Sequence, residues 1–496
     1  MHSIPCPAGR GAAERQAAPF DVRGLLFLVL LLAVMTFAPS ASAAPTATSE
    51  EVAERLAGAI RIETISHSDP ADFDDEAFAR LADYLRTTYP RTHAGLELER
   101  VNVHTLVFRW KGLDAALQPA LFMSHLDVVP VEEAAVAEWS HPPFEGVIDE
   151  GFVWGRGALD VKSGVILWLE AVEALLAEGF EPTRTIYLAF GHDEEVGGFN
   201  GAAVVAKLFR ERGIQPAFLF DEGGFIIDDY PLLPDLTTAL VVIAEKRYFT
   251  VDLTTHGVSG HSSMPPNSTA IGRLARAITR VEENPMPTRI IPPVREMFEA
   301  VSPHMSFGMR FALNNLWLTS GLVERRLIKD RTSAPFVRTT FAATLISGGV
   351  KDNVIPELAR ATINVRILPG DTPESVLAHI ERVIDDPEVE IEGTTWGDSA
   401  EPASVTGQAF PLAKEAILEV LPDAIVVPGL VPGATDSRHF GGVVDEILRF
   451  VPARIAIEQA GGAHGRDERL AVEHLADSVA IAIGMVRRAG EPTRED

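Results

Sequence analysis

The feature of this sequence that most constrains its fold is a series of short apolar runs that end directly in His, Asp or Glu. Residues 120–123, 185–190 and 217–220 are apolar runs of strand length. Because strand ends in an open α/β sheet gather at one edge, we expect the polar side chains that follow to lie together. The segments after the three runs are Ser124-His125-Leu126-Asp127, Gly191-His192-Asp193-Glu194-Glu195 and Asp221-Glu222-Gly223-Gly224.

The remaining patterns favour the α/β class. Strand-like runs at residues 106–110 and 240–244 alternate with helical patterns. The clearest helix is predicted at residues 163–178, where Val165 and Leu169 share one face. The alternation predicts a sheet covered by helices on both faces.

Residues 246–368 differ in character from their surroundings. An alternating strand opens the segment, a second strand at residues 361–367 closes it, and helical patterns rich in Arg and Glu lie between them. We interpret the segment as an α+β domain inserted into the first domain. Residues 45–245 and 369–496 are then two parts of one domain, which agrees with a chain of 496 residues being too long for a single core.

Residues 1–44 are typical of a signal peptide. Arginines precede an uncharged apolar run at residues 24–38, and small residues from Ala41 to Ala44 follow it. Because the run is short for a membrane span, we expect cleavage near Ala44 or Pro45 and a secreted or periplasmic protein. An uncleaved leader that anchors the protein to a membrane is the alternative.

Charge and cysteine content limit the partners and the metal ligands. The chain has 43 Lys and Arg against 70 Asp and Glu, a net charge of −27, which disfavours nucleic acid because phosphates would be repelled. The single cysteine, Cys6, lies in the expected leader. A metal site would therefore consist of His, Asp and Glu, which suits zinc, with manganese or cobalt as alternatives.

Each candidate residue also has an ordinary structural interpretation. Asp160 precedes a helix and would serve equally as its N-cap. His125 with Asp127 would fit a surface turn, and residues 192–195 would fit a solvated acidic turn. The strand ends together with His464, which lies in a glycine-rich turn, favour a metal site with enough ligands for two ions when one carboxylate is shared.

These segments resemble the di-zinc metallopeptidases that include carboxypeptidase S, aminoacylase, glutamate carboxypeptidase and succinyl-diaminopimelate desuccinylase. The similarity extends over nearly the whole chain after the leader. It is greatest to the carboxypeptidase S branch, which includes secreted N-acyl-amino-acid hydrolases. The matching segments are Ser124-His125-Leu126-Asp127-Val128-Val129-Pro130, Trp139 with Pro142-Pro143-Phe144, Gly155-Arg156-Gly157 through Asp160, His192-Asp193-Glu194-Glu195-Val196-Gly197-Gly198, Asp221-Glu222-Gly223, Gly260-His261-Ser262-Ser263, Asn353-Val354-Ile355-Pro356, Ala434-Thr435-Asp436-Ser437-Arg438 and His464.

The resemblance implies a zinc-peptidase-like catalytic domain, a mixed sheet flanked by helices, with an inserted lid or dimerisation domain and two zinc ions per subunit. His125 and Glu195 would be terminal ligands of different metals, and Asp160 would bridge them. Asp221 would bind one metal and His464 the other. Because family members use either Asp or Glu at the fourth position, the adjacent Glu222 is the alternative to Asp221.

The resemblance also implies catalytic and substrate-binding roles. Asp127 would orient His125, and Glu194 would be the general base that takes a proton from water and returns it to the departing amine. His261 on the lid would stabilise an oxyanion, from a partner subunit in a homodimer or by closure within one chain. The candidates to hold a substrate carboxylate, each of which would also fit an ordinary ion pair or surface position, are Asn353, Arg366 and Arg438.

We therefore expect a zinc-dependent hydrolase that cleaves an amide bond next to a free carboxylate, as a carboxypeptidase on short peptides. An N-acyl-amino-acid amidohydrolase is the alternative, since both kinds of substrate present an amide and a carboxylate. A non-catalytic binding protein on the same scaffold is a third interpretation. The presence of Glu194 counts against it, because a binding protein needs no proton shuttle.

Overall fold

The computed structural model describes residues 47–67, 69–395 and 400–491, so the expected leader at residues 1–44 lies outside the described residues. The helices are α1 (Ser49–Ile60), α2 (Asp75–Thr88), α3 (Pro90–Gly95), α4 (Glu133–Val136), α5 (Lys162–Ala177), α6 (Ala202–Glu211), α7 (Ala270–Glu283), α8 (Pro292–Val301), α9 (Phe307–Asn314), α10 (Leu316–Leu327), α11 (Pro373–Ile384), α12 (Ala409–Val420) and α13 (Leu475–Gly490). The strands are β1 (Glu97–Val101), β2 (Thr105–Trp110), β3 (Ala120–His125), β4 (Val147–Asp149), β5 (Phe152–Trp154), β6 (Ile186–Gly191), β7 (Phe218–Asp221), β8 (Ile226–Asp228), β9 (Thr238–Glu245), β10 (Arg247–His256), β11 (Gly260–His261), β12 (Thr340–Gly348), β13 (Val354–Ile355), β14 (Leu358–Ile367), β15 (Val389–Thr395), β16 (Ile425–Val431), β17 (Glu446–Arg449), β18 (Arg454–Ala456) and β19 (Arg469–Ala471).

The first sheet contains the strands that precede the predicted site residues. Its order is β1-β2-β6-β3-β7-β17-β9-β8-β18, and β16 pairs with β9. Strands β6, β3 and β7 are parallel, whereas β1 and β2 are antiparallel at one edge. Every residue of β3, β6 and β7 is buried, as expected for a parallel region covered on both faces. The predicted mixed α/β sheet is confirmed.

Helices α5 and α6 belong to the two hydrophobic clusters that cover this sheet. Helix α5 is buried on all sides from Lys162 to Val172, and the Trp168 ring lies 4.8 Å from the Phe122 ring. Helix α6 belongs to a separate hydrophobic cluster through residues spaced three and four apart. The residue before α5 is Val161, and no side chain caps the helix. Asp160 is therefore not its N-cap.

The second sheet has the order β12-β14-β10-β15. Phe249, Val251 and Leu253 point into a core that it shares with helices α7 and α11. Strand β15 completes this sheet by pairing with β10. The second sheet therefore continues beyond residue 368, at which the sequence predicts the return to the first domain.

Two further segments complete the described chain. Helices α8 to α10 pack against strands of the first sheet, with Met297 and Phe298 in one cluster with Val427 and Leu430. The last helix begins at Leu475 and follows β19, in which residues 469–471 pair with β5. Among the described helices, none has the length and apolar character needed to span a bilayer.

Candidate active site

The carboxyl ends of β3, β6 and β7 bring charged side chains together. His125 is the last residue of β3, Glu194 and Glu195 follow β6, and Glu222 follows β7. The Nε2 atom of His125 lies 3.1 Å from Asp160 Oδ1 and 3.3 Å from Glu222 Oε1. The predicted meeting of strand ends therefore takes place at this edge of the sheet.

Asp160 lies between two histidines. While its Oδ1 faces His125, its Oδ2 lies 3.1 Å from His464 Nε2. His464 Nε2 is also 3.0 Å from Glu195 Oε2. Ligand atoms of His125, Asp160 and Glu195 lie within 4.8 Å of one another, and so do those of His125, Glu194 and Glu222. The two groups share His125, and Asp160 connects it to His464.

Asp221 does not join these groups. Its Oδ2 accepts a 2.7 Å hydrogen bond from the backbone N–H of Ser437, and the side chain is buried there. Neighbouring residues of an extended chain point in opposite directions, so only one of Asp221 and Glu222 can face His125. Of the two alternatives, Glu222 is the carboxylate that lies in the cluster at this strand end, and the predicted ligand Asp221 lies outside it.

The cluster concentrates negative charge away from water. Burial and the carboxylates of Glu222 and Asp436 raise the pKa of Glu194 well above its usual range. Burial also raises the pKa of Glu222 to about 8. Hydrogen bonds to Asp160 and Glu195 raise the pKa of His464 to about 10. The carboxylates thus oppose each other's ionisation, and they favour a positive charge nearby, as the raised pKa of His464 shows.

The donor set fits a divalent cation. Imidazole nitrogens and carboxylate oxygens without sulfur are typical ligands of zinc, manganese and cobalt. Within the described part of the chain, Glu195 Oε1 is buried and has no hydrogen-bond partner. A buried carboxylate oxygen without a donor costs free energy, and a cation would remove that cost. The residues present are therefore consistent with a metal site.

Asp127 contacts both His125 and the loop that carries Glu194 and Glu195. The Nδ1 atom of His125 lies 2.9 Å from the backbone oxygen of Asp127 and 3.3 Å from its Oδ1. The Asp127 carboxylate also accepts the backbone N–H groups of Glu194 at 3.2 Å and Glu195 at 3.1 Å. Burial opposes its charge, but these contacts hold the pKa of Asp127 below its usual value. Asp127 thus positions both the imidazole ring of His125 and the loop that carries Glu194 and Glu195.

Glu468 holds the loop that carries Asp160, a role that the sequence does not reveal. Its Oε1 accepts the backbone N–H groups of Gly157, Leu159 and Asp160 at 3.0, 2.7 and 3.0 Å. Its Oε2 accepts a 2.7 Å hydrogen bond from Arg156. No local pattern marks this residue, because its partners lie in a distant part of the chain.

The loop after β6 rests on Asp436. Within the described residues, both carboxylate oxygens of Asp436 are buried and without a hydrogen-bond partner. Gly198 has φ +66°, and a Cβ atom there would overlap Asp436 Oδ1. Only glycine therefore allows the loop with Glu194 and Glu195 to approach this closely.

His192 and Asp193 point away from the cluster. The Nδ1 atom of His192 lies 2.6 Å from Thr105 Oγ1. The Asp193 carboxylate accepts backbone N–H groups of Asn200 at 2.7 Å and Gly201 at 2.8 Å. These two residues shape the loop, whereas Glu194 and Glu195 face the histidines.

A cavity of about 360 Å³ opens beside the cluster. The Nη1 atom of Arg438 lies 3.5 Å from Glu194 Oε1. The guanidinium of Arg366 lies over the Tyr248 ring, 4.4 Å from its centre. Sequence reasoning finds both arginines but misses Tyr248, since a lone tyrosine in a strand carries no signal. The lining residues are Glu194, Glu195, Val196, Gly197, Tyr248, Arg366, Ala434, Arg438 and His464.

His261 and Asn353 lie elsewhere, on paired short segments within residues 246–368. Strand β11 pairs with β13, and the backbone oxygen of Asn353 accepts the N–H of Ser262 at 3.2 Å. His261 is exposed, and its Nδ1 accepts the N–H of Ser263 at 3.1 Å. Neither residue lines the cavity beside the cluster. The structure therefore does not bring these two predicted residues to the other site residues.

Imidazoles and carboxylates cluster at one edge of a mixed α/β sheet, beside a cavity with two arginines. This arrangement is typical of a metal-dependent hydrolase. The chain belongs to peptidase family M20/M25/M40, whose family model matches residues 121–488.

Individual relatives agree with this assignment. A Dictyostelium discoideum protein named "Probable carboxypeptidase S-like 2" is 38% identical over 475 residues, 91% of this chain and 90% of that protein. The mouse "N-fatty-acyl-amino acid synthase/hydrolase PM20D1" is 36% identical over 464 residues, 90% of each chain. An M20 family metallo-carboxypeptidase from Sulfolobus solfataricus has the same fold, with a TM-score of 0.67 and 17% identity, over 89% of this chain and 99% of that one.

The predicted resemblance, including its carboxypeptidase S branch, is confirmed by these findings. The protein is a hydrolytic enzyme of a metal-dependent peptidase family, and its substrates are small molecules or peptides. The interpretation as a non-catalytic binding protein is thereby disfavoured.

Proposed function

We propose that the protein hydrolyses an amide bond next to a free carboxylate, as a zinc-dependent carboxypeptidase acting on short peptides. The observation that carries this proposal is the position of Asp160, which offers one oxygen to His125 and the other to His464. Glu194 and Arg438 lie on the wall of the same cavity. A proton acceptor and a binding group for a carboxylate thus lie beside one shared metal site.

Two zinc ions per subunit would be held by five side chains, and manganese or cobalt would suit the same donors. Asp160 would be shared between the two ions. Bound divalent cations supply the Lewis acidity that lowers the pKa of a water molecule and polarises the amide carbonyl. The proposed ligands are His125, Asp160, Glu195, Glu222 and His464.

Glu194 would act as the general base and then as the general acid. Its removal from water raises its pKa, which makes it a better proton acceptor than an exposed glutamate. It would take a proton from water and return it to the departing amine nitrogen. Arg438 and Arg366 would bind the substrate carboxylate, since a guanidinium donates to both oxygens at once.

We further propose that His261 reaches the site of a partner subunit in a homodimer. The residue is exposed on the inserted segment and lies outside the cavity of its own chain. An imidazole that donates to the developing oxyanion would lower the barrier to amide hydrolysis. Closure of the lid within one chain is the alternative route for His261.

A second candidate function is the hydrolysis of N-acyl amino acids. It is favoured by the relatives that are named N-fatty-acyl-amino acid synthase/hydrolase, of which the mouse protein is 36% identical to this chain. Such a substrate presents the same amide and carboxylate as a dipeptide, and an acyl chain replaces its amino-terminal residue. The cavity residues that would bind the carboxylate are the same in both cases.

A substrate panel tests the proposal. Purified protein with added zinc would be assayed on a dipeptide, the same dipeptide with its carboxylate amidated, an N-acetyl amino acid and an N-long-chain-acyl amino acid. We expect cleavage of the dipeptide and little cleavage of its amidated counterpart. Preference for the long acyl chain would support the second candidate. Equal cleavage of free and amidated dipeptides, or none of any compound, would contradict both.

We also propose that residues 1–44 direct export and are then removed. The support is the order of arginines, apolar run and small residues in the sequence. Amino-terminal sequencing of the protein recovered outside the cytoplasm is expected to begin near Ala44 or Pro45. Recovery of the intact amino terminus in the membrane fraction would favour the uncleaved anchor instead.

A further inference from the structure

Helices α9 and α10 expose large apolar side chains to solvent. Phe307 is 86% exposed, Trp317 82% and Leu322 68%. We call the outward side of the two helices the apolar face, and its members are Phe307, Phe311, Trp317, Leu318 and Leu322.

The apolar face is not a packing surface of the fold. The opposite side of the helix pair already fills the core, with Leu313, Leu316 and Val323 buried against neighbouring elements. Solvent-exposed aromatic and aliphatic side chains that cluster on one element are uncommon and mark sites of interaction. The apolar face is therefore available for a partner.

Basic residues accompany the apolar face. Residues 307–331 contain five Lys and Arg but two Asp and Glu, a charge of +3 in a chain whose net charge is −27. In the described part of the chain, four exposed cations at the end of α10 and just after it make no ion pair with a carboxylate. They are Arg325, Arg326, Lys329 and Arg331.

Charge decides between the partners that an apolar face could accept. A second copy of this chain, placed on the same face around a twofold axis, would bring the charge of +3 against itself. A neutral apolar partner would leave the cations without a role. An anionic lipid surface satisfies both features, because the apolar side chains enter the acyl boundary while Arg and Lys reach the headgroup phosphates.

We propose that helices α9 and α10 dock the protein reversibly on an anionic lipid surface. The remaining acidic surface is repelled by such lipids, so docking would occur through this face alone. The proposal is independent of the substrate that the enzyme hydrolyses.

Vesicle flotation tests the proposal with the full chain. The wild-type protein is expected to float with vesicles of phosphatidylcholine and phosphatidylglycerol in a 7:3 ratio, and not with phosphatidylcholine alone. The tryptophan emission is expected to shift to shorter wavelength on binding. The shift is assigned to Trp317 because the other tryptophans among the described residues, Trp110, Trp139, Trp154 and Trp168, are all 8% exposed or less. W317F should lose the shift.

Two double variants address the two features of the face. R325E/R326E reverses the charge, and W317S/L322S removes apolar groups. Each is expected to weaken partitioning to the anionic vesicles by about tenfold or more. The matched controls are R100E/K111E, which makes the same change in net charge at exposed positions elsewhere, and I346S/V350S, which removes exposed apolar groups outside the face.

Since all variants carry the same residues 1–44, a difference between them reports the helix pair. Melting temperatures close to that of the wild type would show that the variants are folded. Equal flotation with neutral and anionic vesicles, or equal flotation of wild type and both double variants, would overturn the proposal. A change in the sedimenting mass of W317S/L322S would also overturn it, by showing that the face joins two copies of the chain.

Discussion

The first sheet buries its reactive groups, whereas the paired β11 and β13 segments expose theirs. Backbone hydrogen bonds join Asp127 to Glu195 and Glu468 to Asp160, and the Glu195 carboxylate also contacts His464. His261 has a neighbouring serine as its partner and faces solvent. The position of the cluster is therefore set by the fold of one chain, while the position of His261 relative to the cluster depends on closure or on assembly.

Metal removal is the strongest test of the buried cluster of histidines and carboxylates. Chelation is expected to abolish hydrolysis and to lower the melting temperature, because the carboxylates around Asp160 and Glu195 would repel each other. Added zinc should restore both properties. Activity assays and calorimetry on the chelated and reconstituted protein measure this, and full activity after verified metal removal would contradict it.

Glu194→Gln tests the proposed proton transfer without removing the side chain. Turnover is expected to fall by about 10²–10⁴-fold, because an amide cannot accept the proton of water. Metal content and melting temperature should stay near those of the wild type. Glu211→Gln, on helix α6, is the matched control and should leave turnover unchanged. Near-normal turnover in Glu194→Gln would rule out the general base.

The proposed role of the exposed His261 is tested by mixing two inactive variants. His261→Ala is expected to reduce turnover by about 10²-fold or more if it removes an oxyanion donor. A mixture with Glu194→Gln should recover part of the activity after subunit exchange, because some heterodimers contain one intact composite site. No recovery after verified exchange would rule out the shared site and leave closure within one chain.

The smallest expected effect concerns the contact between Gly198 and Asp436. Gly198→Ala should reduce activity by about tenfold, because the new methyl group displaces the loop that carries Glu194 and Glu195. Gly213→Ala is the matched control, since Gly213 has the same φ of +66° but no atom within 4 Å of the added Cβ. Equal loss in both variants would show that backbone strain, and not the contact, is responsible.

The sequence predicts the meeting of His125 and Glu195 because parallel strands end at the same edge of a sheet, whereas the place of Asp160 beside them follows from the family resemblance. It does not separate Asp221 from Glu222, since the choice depends on which of two adjacent residues faces the histidine. Strand β15 is missed for a different reason. Its place in the second sheet follows from pairing with β10, a contact between distant residues that leaves no local pattern.

The anchoring of the Asp160 loop by Glu468 has a consequence for biosynthesis. Arg156 and Glu468 are 312 positions apart, so the acceptor for three backbone N–H groups leaves the ribosome long after the loop itself. A nascent or truncated chain that lacks this segment carries Glu194 and Glu195 but neither His464 nor an ordered Asp160 loop. Residues 464–468 must therefore be in place before the Asp160 loop and the cluster can take up this arrangement.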